Sequence, residues 1–211
     1  MSTSAKKLLV LVLVLVAGGI FAYTYHNATV YTANPNEIDT GLTPGASTTL
    51  PVLGNPATSS NLAGVPVRIR IAKIDMNANV VDVGLGKTGN MAVPLTFSDV
   101  GWYRYGPKPG EVGSAVIDGH VNNGLGVAAV FARLSELKAG DDIYIDTKAG
   151  DTLHFVVEES DVYDVSQVPR ERLFNQSDAP RLNLVTCEGE WQQDQKMYNE
   201  RRVVYAVLSP E

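Results

Sequence analysis

Thiol chemistry in this chain has one possible nucleophile, Cys187, and three possible imidazole bases, His26, His120 and His154. Cys187 ends the run Asn183-Leu184-Val185-Thr186, which has strand composition, and Glu188-Gly189-Glu190 then breaks the pattern. A cysteine at the exit of a strand has its backbone held by the sheet and its sulfur near solvent, a suitable placement for a nucleophile. A lone cysteine can equally be a small core hydrophobe, so its neighbours decide. His120 follows the apolar run Ser114–Asp118 and Gly119, where the missing side chain is expected to leave space beside the imidazole. Arg201 opens the last apolar run, Arg201–Leu208, across an expected loop of 13 residues from Cys187. His154 sits between Leu153 and Phe155 in an alternating run and reads as a surface or packing residue. His26 falls outside the folded part.

These three residue types form a working set. A thiolate attacks, and needs a positive charge or a base beside it. An imidazole protonates a leaving amine near neutral pH and then takes a proton from the next nucleophile. A guanidinium stays charged and steadies a tetrahedral oxyanion or clamps a carbonyl. Asp118, two residues before His120 on the same strand parity, is the obvious carboxylate to suspect as a histidine partner.

Composition narrows the classes. With 45 % hydrophobic residues in 211, the chain can bury one main core. A net charge of −6 with scattered basic residues argues against nucleic acid as partner. One cysteine excludes an internal disulfide and a cysteine zinc cluster, and the histidines show no metal spacing. No cofactor or metal is expected. Gly84-Leu85-Gly86-Lys87-Thr88-Gly89 lacks the phosphate-loop spacing and no helical run follows it, so it is read as a turn.

The elements that must carry the set begin after a distinct amino terminus. Residues 1–7 contain Lys6-Lys7 and read as a cytoplasmic tail. Residues 8–25, apolar or aromatic except Thr24, have the length of a membrane-spanning helix. A cleaved signal peptide competes with this anchor reading, although Phe21-Ala22-Tyr23 makes a poor cleavage site. Both readings put the rest of the chain outside the membrane. Residues 26–64, rich in Asn, Thr, Pro, Ser and Gly, read as a flexible linker. The domain spans residues 65–211. Strands are expected at Val67–Ile71, Ala78–Val83, Ser114–Asp118, Ile143–Ile145, Leu153–Val157, Leu182–Cys187 and Arg201–Leu208. Phe97–Gly113 is expected to be an aromatic loop, Ala129–Leu137 a short helix, and Pro169–Phe174 a helical turn. Short strands with few helices predict an all-β closed barrel or sandwich.

Three segments together give a resemblance. Asn183-Leu184-Val185-Thr186-Cys187 is similar to the threonine-leucine-x-threonine-cysteine strand of the sortases, departing only at its first position. Val116-Ile117-Asp118-Gly119-His120 resembles the histidine segment of that family, and Asn199-Glu200-Arg201-Arg202-Val203-Val204-Tyr205-Ala206 its arginine strand. Gly101-Trp102-Tyr103, Pro109-Gly110 and Val130-Phe131-Ala132-Arg133-Leu134 extend the likeness over most of residues 65–208.

The resemblance implies an eight-stranded sortase β-barrel and a cysteine transpeptidase. It implies catalytic roles for Cys187, His120 and Arg201, with Thr186 shaping the pocket. Because strand neighbours alternate in direction, Arg201 is expected to share the pocket of Cys187, with Arg202 a solvated edge charge unless a bulge inverts them. The implied partners are an LPxTG-like sorting signal of secreted proteins and an amine acceptor, from a cell-wall precursor or a pilin lysine. The compact domain and the Pro-Gly loop before His120 look most like class F. Two other readings stay open: a cysteine peptidase or amidase that only hydrolyses, and a membrane-tethered β-barrel scaffold whose cysteine is structural.

Overall fold

The computed structural model describes residues 63–210. The expected tail, the span 8–25 and the linker up to residue 62 lie outside these residues. Among the described residues no helix is long and apolar enough to cross a membrane. The last two residues of the expected linker lie on the Pro109-Gly110 loop. The Gly64 N–H donates to the Pro109 carbonyl at 3.2 Å. A Cβ on Gly110, whose φ is +90°, would stand 2.9 Å from the Ala63 Cα.

Eight strands make the barrel. They are β1 (Pro66–Ile71), β2 (Met76–Val83), β3 (Val100–Tyr103), β4 (Gly113–Asp118), β5 (Asp142–Thr147), β6 (Thr152–Asp164), β7 (Pro180–Gln192) and β8 (Met197–Leu208). A helix, α1 (Arg170–Phe174), links β6 to β7. The order around the closed barrel is β1-β2-β3-β4-β7-β8-β6-β5, with β5 paired back to β1. Closure leaves no unpaired edge for another chain to extend. β2 with β3 and β4 with β7 are the parallel pairs.

Strand alternation sorts the side chains onto two faces. Ile69 and Ile71, Ala115 and Ile117, Leu182 and Leu184, and Val204 and Ala206 turn inward into one core, with Phe131, Leu134 and Leu137 packed among them. The opposite parity of β4, β7 and β8 supplies Val116, Val185, Val203 and Tyr205 to a second cluster, covered by Leu173 and Phe174 of α1. β4 is therefore buried along its whole length, and it reads as a continuous apolar run for that reason.

Several elements differ from the sequence expectation. The aromatic loop over Phe97–Gly113 contains β3, paired on both sides through Val81↔Gly101 and Gly101↔Asp118. Gly101 masks it as a turn but is required by crowding: a Cβ there would lie 2.5 Å from Asp118 Oδ1 and 2.9 Å from Val83 Cγ1. The expected helix Ala129–Leu137 is a set of turns with a short 3-10 segment, Leu134–Glu136. Its backbone donors are used elsewhere: Ala129 N–H to the Val121 carbonyl, Val130 to Phe97, and Phe131 to His120. An i→i−4 ladder is thus replaced by contacts that tie two loops together. β7 and β8 also run on past their apolar stretches into a polar hairpin, where backbone pairing continues without core burial.

Candidate active site

The long hairpin changes the setting of Cys187. The thiol does not end a strand and Arg201 does not begin one, because pairing continues to Trp191↔Tyr198 beyond an irregularity between Glu188 and Trp191. Within that ladder Cys187 is the direct cross-strand partner of Arg201. Directly opposed residues share one face, so the two side chains leave the sheet together. Arg202 pairs with Thr186 and faces the other way.

On the other flank β4 runs parallel to β7, with Ile117↔Leu184 and Asp118↔Val185. The Gly119 N–H donates to the Val185 carbonyl at 3.2 Å, which carries this register past the end of β4. Two steps on, His120 stands level with Cys187. His120, two residues past the end of β4, therefore continues the row of the directly opposed Cys187 and Arg201 on β7 and β8. The row lies on the outer face of the barrel, continuing the parity of Val116, Val185 and Val203.

Each group is held differently. The His120 Nε2–H donates to the Pro94 carbonyl at 3.0 Å, which leaves Nδ1 as the basic atom of the neutral ring. The ring packs on Phe97, with centroids 4.8 Å apart. Burial lowers the imidazole pKa, and the Pro94 carbonyl opposes this more weakly. Burial also raises the Cys187 thiol; the Arg201 charge pulls it back and Asp118 adds to the rise. At neutral pH the resting pair is thus a thiol and a neutral imidazole. Arg201 is buried, and one terminal nitrogen, Nη1, donates to the carbonyls of Tyr198 (2.9 Å) and Glu200 (2.8 Å). Its Nε is buried without a partner. The guanidinium is anchored at one end and retains hydrogen-bonding capacity beside the thiol.

Other expected contributors sit elsewhere. Thr186 does not line the pocket with Cys187, since the alternation that exposes the thiol turns the threonine to the opposite face. Its hydroxyl donates to the Gly119 carbonyl at 2.7 Å, tying β7 to the segment that carries His120. Arg202 is not a solvated charge: Nε binds Glu188 at 3.1 Å and Nη1 donates to Ser160 Oγ at 3.2 Å. Gly119 does not leave room beside the imidazole; a Cβ there would meet the Phe131 ring at 2.6 Å, so the missing side chain admits Phe131. His154 stacks on Tyr144 and hydrogen-bonds Asp142 at the surface. The Glu158, Glu159 and Asp161 carboxylates face Arg181 and Arg172, which accounts for their clustering. Among the described residues no cluster could hold a metal ion.

A cavity of about 440 Å³ is walled by Asp164, Arg170, Gln192, Met197, Tyr198 and Asn199, and none of His120, Cys187 and Arg201 lines it. It opens between the β6–α1 connection and the β7–β8 hairpin. Tyr198 joins it to the other flank, because its hydroxyl accepts from Asn122 Nδ2 at 2.6 Å.

The model of the Sortase domain family matches residues 69–209, two thirds of the chain. The chain belongs to the sortase family. Sortases are cysteine transpeptidases, and this one is an enzyme. Among solved structures it is similar to sortase C1 of GBS Pilus Island 1, at 20 % identity and a TM-score of 0.51, over 68 % of this chain and 64 % of that one. This sortase thus spans a little under two thirds of that protein. It is also similar to sortase C-1 from Actinomyces oris, at 25 % identity and TM-score 0.52, over 69 % of this chain and 75 % of that one. Sortase A from Listeria monocytogenes follows at 19 % identity and TM-score 0.52, over 69 % and 88 %. These neighbours carry the same fold and come from more than one sortase class. No curated protein matches the chain.

Sequence reasoning missed one group that shapes this sortase's site and misjudged the role of another. Pro94 holds His120 through its carbonyl, a contact that no side-chain pattern announces. Asp118, suspected as a histidine partner, is buried with Oδ1 unpartnered, and burial lifts its pKa well above the usual carboxylate range.

Proposed function

We propose that this sortase cleaves an LPxTG-like sorting signal between Thr and Gly and transfers the threonyl acyl group to an amine. The observation that carries the reading is the row His120, Cys187 and Arg201, set by the registers of β4, β7 and β8.

A proton passes from the Cys187 thiol to His120 Nδ1, giving a thiolate beside Arg201. The sulfur adds to the threonine carbonyl, and the buried guanidinium stabilises the oxyanion. Collapse breaks the Thr–Gly C–N bond as the imidazolium protonates the departing glycine nitrogen. A thioester remains on Cys187. The entering amine adds to that thioester, His120 takes its surplus proton, the C–S bond breaks, and the proton returns to the sulfur. Water in place of the amine yields hydrolysis.

The acceptor in this reading is an amine of a cell-wall precursor or a pilin lysine. Within the family we assign the chain to class F, on the compact domain and its Pro109-Gly110 loop. The apolar residues 8–25 behind Lys6-Lys7 support a single-pass anchor with the catalytic domain outside the cell membrane.

The test is an internally quenched Leu-Pro-x-Thr-Gly peptide given to the full chain, followed by mass spectrometry with and without amine acceptors. A thioacyl mass on Cys187 that passes to the amine is the expected result. Cleavage without amine product at saturating acceptor would make the enzyme a hydrolase. A folded protein that forms no adduct across a peptide library would remove the proposal.

A further inference from the structure

The amine side of the site has a composition of its own. His120 delivers a proton to the leaving amine and receives one from the entering amine, so both must approach the imidazole rather than Arg201. Two loops flank the imidazole. The β2–β3 connection supplies Pro94, whose carbonyl holds Nε2, together with Leu95 and Phe97. The segment after His120 supplies Leu125 and Val127. The Val130 N–H donates to the Phe97 carbonyl at 2.9 Å and binds the two loops together.

The apolar side chains on these loops point to water. Leu95 is 74 % exposed, Phe97 43 %, Leu125 80 % and Val127 59 %. Their backbone is nevertheless ordered: Asn123 Oδ1 accepts from the N–H groups of Leu125 (2.9 Å) and Val127 (3.0 Å), and the Asn123 N–H donates to the Val127 carbonyl at 2.9 Å. Four exposed apolar side chains on two bound loops beside one reactive group mark a contact surface rather than scattered surface residues.

We propose that this wall is a subsite for the amine-side peptide, selecting an apolar side chain on the residue that follows the amine-bearing one. The inference rests on the transpeptidase reading above. Distance picks the position. With the amine within hydrogen-bond reach of the imidazole, the second Cα lies about 5 Å further along the chain. The Phe97 ring centroid is 4.8 Å from that of His120, so a second side chain on the Phe97 side of the imidazole reaches the wall. The same rule applies to the residue after the scissile glycine and to an entering α-amine, whereas a lysine side-chain amine sets its next Cα farther off.

The experiment uses the full chain, a fixed Leu-Pro-x-Thr-Gly donor, and the acceptors Gly-Leu amide, Gly-Phe amide, Gly-Ser amide and Gly-Asn amide. Partition of the thioacyl enzyme between aminolysis and hydrolysis is read by mass spectrometry. The apolar acceptors should be favoured over the polar ones by about fivefold. In a Leu95→Ser/Leu125→Ser/Val127→Ser variant the acceptors should converge to within about twofold, while hydrolysis of the thioacyl enzyme and adduct formation from a donor ending at the glycine amide, which has no residue to reach the wall, stay unchanged; these exposed positions tolerate substitution. Equal partition in the wild type, or a preference that survives in the variant, overturns the subsite. Equal partition combined with variant-sensitive sedimentation on phosphatidylglycerol vesicles would make the wall a membrane contact instead. Failure to form any adduct would remove the transpeptidase reading itself, a result distinct from all of these.

Discussion

Arg201→Gln separates the charge of the guanidinium from its shape. Arg201 and Cys187 are directly opposed on β8 and β7, with Cα atoms about 5 Å apart, and the Arg201 charge lowers the thiol pKa. A unit charge about 5 Å away would act with about 3 kcal/mol at the effective dielectric of a protein site and about 0.8 kcal/mol in water, which bounds the effect. Its removal should therefore raise the thiol pKa further. The variant also loses the donor aimed at the oxyanion, a change of about 10² to 10³ in rate. Arg201→Lys keeps the charge and loses the fork. It should retain the wild-type thiol titration within about half a unit while still losing about 10² in rate. Arg202→Gln removes an ion pair with Glu188 on the opposite face and should leave the rate within about threefold. The assays are iodoacetamide alkylation of Cys187 against pH and initial cleavage of the quenched peptide. Thermal melts check folding, because truncating Arg201 leaves two carbonyls without their donor. An inactive Arg202→Gln beside an active Arg201→Gln would refute the assignment of faces. An Arg201→Gln thiol that titrates like wild type would refute the electrostatic argument.

Three further outcomes follow from the same geometry. The cleavage rate should be flat between an acid limb below 6.5, the ordinary histidine value that burial lowers, and a basic limb above 9.0, the ordinary thiol value that burial raises. The thiolate–imidazolium pair would then be less than about 0.3 % of the enzyme on that plateau, and a peptide-cleavage profile with its acid limb above 6.5 would contradict it. Asp118 has its folded pKa raised above 3.8, so the folded state keeps a proton that the unfolded state loses as pH rises; its contribution is favourable in acid and falls away above about pH 4. Asp118→Asn should therefore gain in thermal midpoint over wild type between pH 4 and pH 8, and an unchanged or shrinking difference would mean that the carboxyl ionises in the fold. Gly119→Ala would press on the Phe131 ring beneath His120, giving a loss of about 1 to 3 kcal/mol in denaturant titration together with reduced cleavage; unchanged stability would show that Phe131 yields.

Much of the fold was legible because alternation and turn chemistry are local properties. β1, β2 and β5 follow from apolar residues spaced by two, β4 from a continuous apolar run, and the β5–β6 turn from Gly150, whose φ is +98°. β3 was hidden because Gly101 and the Pro-Gly residues after it have turn composition, whereas its role as a strand depends on what Asp118 and Val83 occupy nearby. The polar extensions of β7 and β8 were hidden because backbone hydrogen bonds carry no side-chain signature. The helix expected over Ala129–Leu137 gives way to turns because its later donors bond i→i−3, as in Ala132 to Ala129, Leu134 to Phe131 and Leu137 to Leu134.

By itself the sequence determined the inventory: one thiol, few imidazoles, two adjacent arginines and a strand-rich domain to carry them. Those facts restrict the chemistry because a residue type limits what its atoms can do. Tertiary structure alone decided the arrangement. The antiparallel register of β7 with β8 puts Arg201 on the face of Cys187 and turns Arg202 and Thr186 away. The parallel register of β4 with β7, with 67 residues between Gly119 and Thr186, brings His120 level with the thiol. Pro94 then orients the imidazole, and burial shifts the two pKa values apart. Register and burial are properties of strands that meet only in the closed barrel, and no local stretch of the chain contains them.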